Sequence, residues 1–357
     1  MDSSNRIVCS KCTMDKSANE IVFDENGMCN FCRQAQKSLK EIEVEKPNLN
    51  KLIDKIKEDG KGKEYDVLIG LSGGVDSSTV LVKVVELGLR PLCFSVDNGY
   101  NRAGESDENI LKLVEKLKVP FYRYTIDLEK FRQLQAAFMR GGIKNLEATT
   151  DHILLATTYE MASKYKIKWI VSGGNCNTES IMPSSWGEDP RDLYWIKSVY
   201  KKVTDRKLKG LPMIPLWKEQ YYRLIKRIRF FQFLNYIDYN REEAIKLLQE
   251  KYNYTSYGEK HCENIFTWWY QSFWLFNRWG IDKRKAHYSS LINSGQLDRK
   301  TAMELLQKCP EYPKLGIEEK VMKYPLKSYS DYPNSEWIRK VVIKLYKYAK
   351  KIRAIEL

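Results

Sequence analysis

The run Val67-Leu68-Ile69-Gly70-Leu71-Ser72-Gly73-Gly74-Val75-Asp76-Ser77-Ser78, continued by Val80-Leu81-Val82-Lys83-Val84-Val85, decides the fold. A short apolar run meets a glycine turn, and the turn opens straight into an apolar-periodic run. That order predicts strand, tight loop and helix N-terminus. Such a loop turns backbone N–H groups outward, and the helix dipole adds positive potential there. Gly73 and Gly74 let the backbone come close to a phosphate. Ser72, Ser77 and Ser78 add hydroxyl donors. Asp76 suits an anion only if a divalent cation lies between them. The common phosphate loop ends in Gly-Lys-Ser/Thr, and no lysine precedes these serines.

The string Ser72-Gly-Gly-Val-Asp-Ser-Ser78 resembles the SGGxDS signature of the PP-loop ATP pyrophosphatases, which cleave ATP between the α- and β-phosphates. The resemblance implies that Gly70, Ser72, Gly73, Gly74, Val75, Asp76, Ser77 and Ser78 hold ATP. Asp97-Asn98-Gly99 closes a second strand, where Asp97 or Asn98 would reach a ribose or base, or simply form a turn. Ser172-Gly173-Gly174-Asn175 closes a later strand, and Glu179 follows four residues on. Gly173, Gly174 and Asn175 are expected at the nucleotide, and Glu179 beside Asp76 as a second carboxylate for Mg²⁺.

Sixty Lys+Arg stand against 46 Asp+Glu, a formal charge of +14, which fits an RNA partner or small anionic ligands equally well. No apolar run is long enough for a transmembrane helix, and the first residues show no apolar signal core, so the expected compartment is the cytoplasm. Cys9-x-x-Cys12 and Cys29-x-x-Cys32 have the spacing of two zinc knuckles, predicting a structural zinc ion on four thiolates. Cys93, Cys176, Cys262 and Cys309 lack such spacing.

From Tyr65 onward, strands at 67–71, 92–97, 121–126 and 169–172 alternate with helices at 77–88, 105–118, 128–140 and 149–165. This predicts an α/β fold, a parallel sheet covered by helices on both faces, with ligands at the strands' carboxyl ends. Beyond about residue 218 the pattern turns helical, with starts at Asn240, Asp298 and Ser335. The expected division is a zinc module over 1–45, an ATP-binding domain over 46–217 and a mainly helical region over 218–357. Lys344, Lys347, Lys350, Lys351 and Arg353 on the last helix read as a solvated face.

Thr149-Thr150-Asp151-His152 opens a helix, with Thr150 or Asp151 as N-cap; His152 would meet substrate there. Phe266-Thr267-Trp268-Trp269-Tyr270-Gln271-Ser272-Phe273-Trp274-Leu275-Phe276 reads mostly as buried helix. Tyr257-Gly258-Glu259-Lys260-His261 and Asp282-Lys283-Arg284-Lys285-Ala286-His287 bracket it and could line a substrate pocket, with Lys283 and Arg284 suited to an anionic sugar. The candidate catalytic residues are Asp76, Asp151, His152, Lys260, His261, Lys283 and Arg284.

Together, the residues at 9–15, 27–32, 72–78, 96–99, 150–152, 173–175, 257–261 and 282–287 resemble the N-acetyl sugar amidotransferases of surface-polysaccharide biosynthesis (WbpG/PseA type). The resemblance implies an amidine-forming, AMP-producing ligase for lipopolysaccharide or O-antigen sugars, with ATP, Mg²⁺ and Zn²⁺. An acetamido oxygen would be adenylated and then replaced by ammonia, giving an acetamidino sugar. It also implies separate glutaminase and cyclase-like subunits that supply the ammonia. The chief alternative is a PP-loop tRNA thiolase, for which Cys176 is the one candidate cysteine; a zinc scaffold without catalysis is a third reading.

Overall fold

The computed structural model describes residues 8–100, 105–257 and 264–353, the side chains of 346–353 excepted. Five parallel strands form the sheet: β1 (Val67–Gly70), β2 (Pro91–Asp97), β3 (Phe121–Thr125), β4 (Trp169–Ser172) and β5 (Arg229–Gln232). Their order is β3-β2-β1-β4-β5. Val67 pairs with both Pro91 and Trp169, so β1 is central. Its side chains alternate between two cores, as a strand covered on both faces requires. The Cys-rich segment leads into α1 (Asn30–Glu45). Val67 and Ile69 pack with residues of α2 (Leu49–Asp59), α3 (Val75–Glu86) and α4 (Glu105–Leu117). α5 (Leu128–Arg140) follows β3, and Leu68 packs with Ala156, Tyr159 and Ala162 of α6 (Ala148–Lys164).

The four strands expected from the sequence are present with ends shifted by one residue or less. β5 was not expected. It lies past residue 217, in the stretch read as helical, and its four residues include one buried side chain, Phe231. A short edge strand with polar ends carries almost no period-2 signal. The sheet therefore extends beyond the expected 46–217 segment.

α6 is also corrected. It starts at Ala148 with Glu147 at the N-cap, not with Thr150 or Asp151 there: the Asp151 N–H already donates to the Glu147 carbonyl at 2.9 Å, while the Glu147 carboxylate is engaged by Thr267 and caps nothing. The aromatic segment is buried as expected, with Trp269 and Trp274 fully enclosed. Its helix (265–279) is interrupted by a π-turn over Tyr270–Trp274.

The Cys-rich N-terminal segment shares one core with the helical C-terminal region: Met14, Phe31 and Ala35 cluster with Phe138, Trp195, Trp269 and Trp274. The helix Lys283–Asn293 links them. Thr13 bonds Ser289 and the Lys285 carbonyl, Lys285 pairs with Asp15 at 2.5 Å, and Arg299 donates to the carbonyls of Cys9 and Cys12.

Candidate active site

The chain moves outward from β1 through β2 to β3, then returns to the other side of β1 as β4. The carboxyl ends of β1 and β4 thus diverge at a topological switch point, where open α/β sheets bind ligands. The 70–78 loop leaves one end and the 172–175 turn leaves the other.

The 70–78 loop is held by hydrogen bonds within itself and from Tyr254 and Tyr257. Ser72 Oγ lies 3.2 Å from Ser77 Oγ, and the Gly74 N–H donates to Ser72 Oγ at 3.2 Å. Gly73 has φ +78°, and a Cβ there would stand 2.5 Å from the Ser106 carbonyl oxygen, so only glycine fits. Tyr254 (3.1 Å) and Tyr257 both donate their hydroxyls to the Gly73 carbonyl. Asn109 in turn donates to the Tyr257 hydroxyl at 2.8 Å. α3 begins after Gly74, which offers no side-chain cap, and helix-start N–H groups of this kind suit an anion.

Gly173 presses on α3: a Cβ would meet the Asp76 carbonyl carbon and the Ser77 nitrogen at 3.0 Å. Glu179 Oε2 lies near Gly174, together with Gln232 from β5. Tyr239 donates to Asp76 Oδ1, and burial first, then the charges of Asp76 and Glu179, hold its phenol protonated. The two carboxylates therefore bear on the same phenol, and as hard oxygen donors they are suited to Mg²⁺.

Other expected residues have structural duties. Asp97 accepts the Gly99 N–H at 2.9 Å, and Asn175 caps the helix Cys176–Glu179. Asn98, held by Tyr100 and Asn264, reaches the cavity wall. His152, expected at the substrate, is fully buried and committed at both ring nitrogens: its Nδ1 lies 2.8 Å from the Pro190 carbonyl and its Nε2 accepts the Ile214 N–H. Burial pushes its pKa down to about 4. Arg284 forks onto Asp282 (3.0 and 2.7 Å) and donates to the Lys308 carbonyl. Lys260 and His261 lie outside the described residues, as does Cys262. Cys176 is half-buried, and burial raises its thiol pKa, the wrong direction for a nucleophilic thiolate.

Three cavities adjoin. One of about 380 Å³ lies above the loop, between Ser72, Asn98, Asp151 and Gln271. A second, 340 Å³, is lined by Glu179, Trp268, Gln271, Lys283 and His287. A third, 480 Å³, is lined by Glu147, Asp151, Glu188, Tyr270 and Lys283. Gln271 joins the first two; Glu147 and Asp151 join the first to the third. Lys283 touches the second and third, and burial lowers its pKa against the pull of Glu147 and Asp151. Surrounding protein and the neighbouring Glu147 push Asp151 up to about 7, although its surface opens onto the cavity.

Sequence reasoning missed Glu147, Tyr239 and Gln271. A lone acid before a helix and a tyrosine 163 residues from Asp76 carry no local signal. Gln271 was read inside buried helix; the π-turn is the kind of local defect found at functional sites.

The four knuckle sulfurs are buried and lie within 4.8 Å of one another. The Cys9–Cys32 and Cys12–Cys29 separations are 3.9 and 3.8 Å. A tetrahedron with metal–sulfur bonds of about 2.3 Å has edges of about 3.8 Å, so the set fits one tetrahedral ion. The N–H groups of Lys11, Met14, Cys29 and Cys32 and the Asn293 amide point at these sulfurs, which favours thiolates.

Residues 263–337 match the family model of the LPS biosynthesis protein WbpG-like, C-terminal domain. Over those residues the chain is similar to the WbpG-like C-terminal domain. The matched segment supplies Asn264, Thr267 and Gln271 to the cavity above the loop, and Trp268, Lys283 and His287 to its neighbour. A GMP synthase (glutamine-hydrolyzing) of Wigglesworthia glossinidia brevipalpis is 29% identical over 152 residues, which is 41% of this chain and 26% of that protein. The chain thus spans about a quarter of that relative's length. Among solved structures, the chain is similar to the NH3-dependent NAD synthetase from Campylobacter jejuni (17% identity, TM-score 0.30, 59% of this chain and 84% of that one). It is also similar to the U34-tRNA thiolase NcsA from Methanococcus maripaludis (12% identity, TM-score 0.30, 90% and 97%). No helix among the described residues is long and apolar enough to cross a membrane.

Proposed function

We propose that this chain is an ATP-dependent amidotransferase that converts the acetamido group of an N-acetylated sugar into an acetamidino group, for surface-polysaccharide biosynthesis. The observation that carries the reading is the shared wall: the WbpG-like segment lines both the cavity above the phosphate loop and the cavity beside Glu179. ATP would lie with its β- and γ-phosphates on the Ser72–Ser78 cradle. The sugar would enter the 340 Å³ cavity, whose wall includes Trp268, its indole N–H fixed on the Glu311 carbonyl. Lys283 suits an anionic group on that sugar.

The acetamido oxygen attacks the α-phosphorus, and pyrophosphate leaves into the loop's N–H groups. Ammonia then attacks the activated carbon and AMP departs. An amide oxygen is a poor leaving group, so adenylation supplies the activation, while positioning and charge stabilisation account for most of the catalysis. Asp76 and Glu179 would hold Mg²⁺, which when bound offsets the charge on the departing pyrophosphate. The four cysteines would hold zinc as a structural ion. The ammonia would come from a separate glutaminase acting with a cyclase-like subunit.

The test is mass spectrometry of the purified chain with ATP, Mg²⁺ and a panel of N-acetylated sugar nucleotides. Ammonium should give AMP and a product lighter by about 1 Da, oxygen exchanged for NH; glutamine should give none. ADP with orthophosphate, or product from glutamine alone, refutes the reading.

A further inference from the structure

The chain carries +14, yet the 480 Å³ cavity inside it is acidic. Four carboxylates, Glu147, Asp151, Glu188 and Asp189, face it against Arg191 and Lys283. Asp189 is matched by Arg191 at 3.0 Å and Arg339 at 3.1 Å. Glu188 accepts the Asn145 N–H at 2.9 Å. Glu147 and Asp151 stand one helical turn apart at the start of α6, on one face. Those two also line the cavity above the phosphate loop, so they form the partition between the chambers. Thr267 and Gln271 hold Glu147 in place. Asp151 makes no side-chain hydrogen bond among the described residues. Lys283, half-buried at the same junction, has only the Met182 sulfur, at 3.0 Å, as a described hydrogen-bond partner.

Resting on the amidotransferase reading, we infer that the 480 Å³ cavity admits ammonium and that Asp151, at the partition, takes its proton, with Glu147 positioning the cation. Ammonium has no lone pair and cannot attack carbon; ammonia can. One N–H bond breaks and an O–H bond forms on the Asp151 carboxylate. Neutral ammonia passes into the chamber above the loop, where its lone pair bonds to the adenylated carbon as the C–O bond to AMP breaks. The proton on Asp151 returns to water in the 480 Å³ cavity. In formal charges, two carboxylates against one lysine give the partition −1 before the cation binds and 0 afterwards. The crowding that lifts the Asp151 carboxyl makes it a stronger base than an ordinary aspartate.

The test compares two nucleophiles on the full chain. Hydroxylamine is neutral near pH 7 and keeps its lone pair, so it needs no base to free it. In Asp151→Asn, kcat/KM for ammonium should fall roughly 100-fold. The ratio of ammonium to hydroxylamine use should fall at least about tenfold, in Glu147→Gln as well. Equal loss of both nucleophiles in both variants, or an unchanged ratio, overturns the inference. If the wild type shows no pyrophosphate exchange dependent on an acetamido sugar, the functional reading itself fails, a result distinct from an unchanged ratio.

Discussion

At the scale of single residues, the site depends on groups whose alternatives are blocked. Gly73 combines a left-handed φ with a carbonyl 2.5 Å from where a Cβ would sit, so Gly73→Ala would have to move either the loop or α4. His152 shows the opposite case, a reactive residue type made inert by enclosure. Its folded pKa of about 4 lies below the ordinary 6.5, so the unfolded chain takes up the proton first as pH falls. The stability contributed by the neutral ring is whole above about pH 6.5 and is lost as pH drops towards 4, of order 3 kcal/mol in all. Lowering pH from 7.5 to 5 should therefore cost the wild type about 2 kcal/mol more than it costs His152→Gln in denaturant unfolding, the opposing gain from the raised Asp151 carboxyl being common to both proteins. An equal pH dependence in both proteins would show that this ring is not the titrating group. Nothing in Thr149-Thr150-Asp151-His152 shows which of its acids and bases face a cavity, because that depends on what Pro190 and Ile214 bring to the imidazole.

At the scale of elements, the loop after β1 was legible because a glycine turn between a strand and a helix is a local pattern. Its support was not. Tyr254 and Tyr257 come from the stretch after the helix Arg241–Tyr252 and fix the Gly73 carbonyl, which sets the conformation of the loop ahead of α3. Each such hydrogen bond contributes about 1 kcal/mol. The double variant Tyr254→Phe/Tyr257→Phe should raise the KM for ATP about tenfold, with a smaller effect on the KM for ammonium. A shift confined to ammonium would contradict the clamp. The strand β5 was illegible for a related reason: four edge residues with one buried side chain leave no periodicity to read, while β4 beside them decides their pairing.

At the scale of the molecule, the Cys-rich N-terminal segment and the helical C-terminal region share one core with Phe138 and Trp195 from the middle of the chain. The helix Lys283–Asn293 carries Lys283 into the cavities, and Thr13, Asp15 and Arg299 tie that helix and its neighbour to the knuckles. Removing the metal should therefore act on both stability and substrate binding. Chelation, or Cys29→Ser, should lower Tm by at least about 10 °C and raise the KM for the sugar, and elemental analysis should find one zinc per chain. A chain that holds no metal, or one whose sugar KM ignores its loss, would count against this coupling. By itself the sequence determined the alternating α/β pattern, the phosphate-type loop and the four-cysteine set, since each is written in residues close together in the chain. Only the tertiary structure decided that Tyr239 meets Asp76, that Glu147 and Asp151 divide two chambers, and that His152 and Arg284 are committed elsewhere. Those outcomes depend on contacts between residues that are far apart in the chain, and on burial, which changes the charge a side chain can hold.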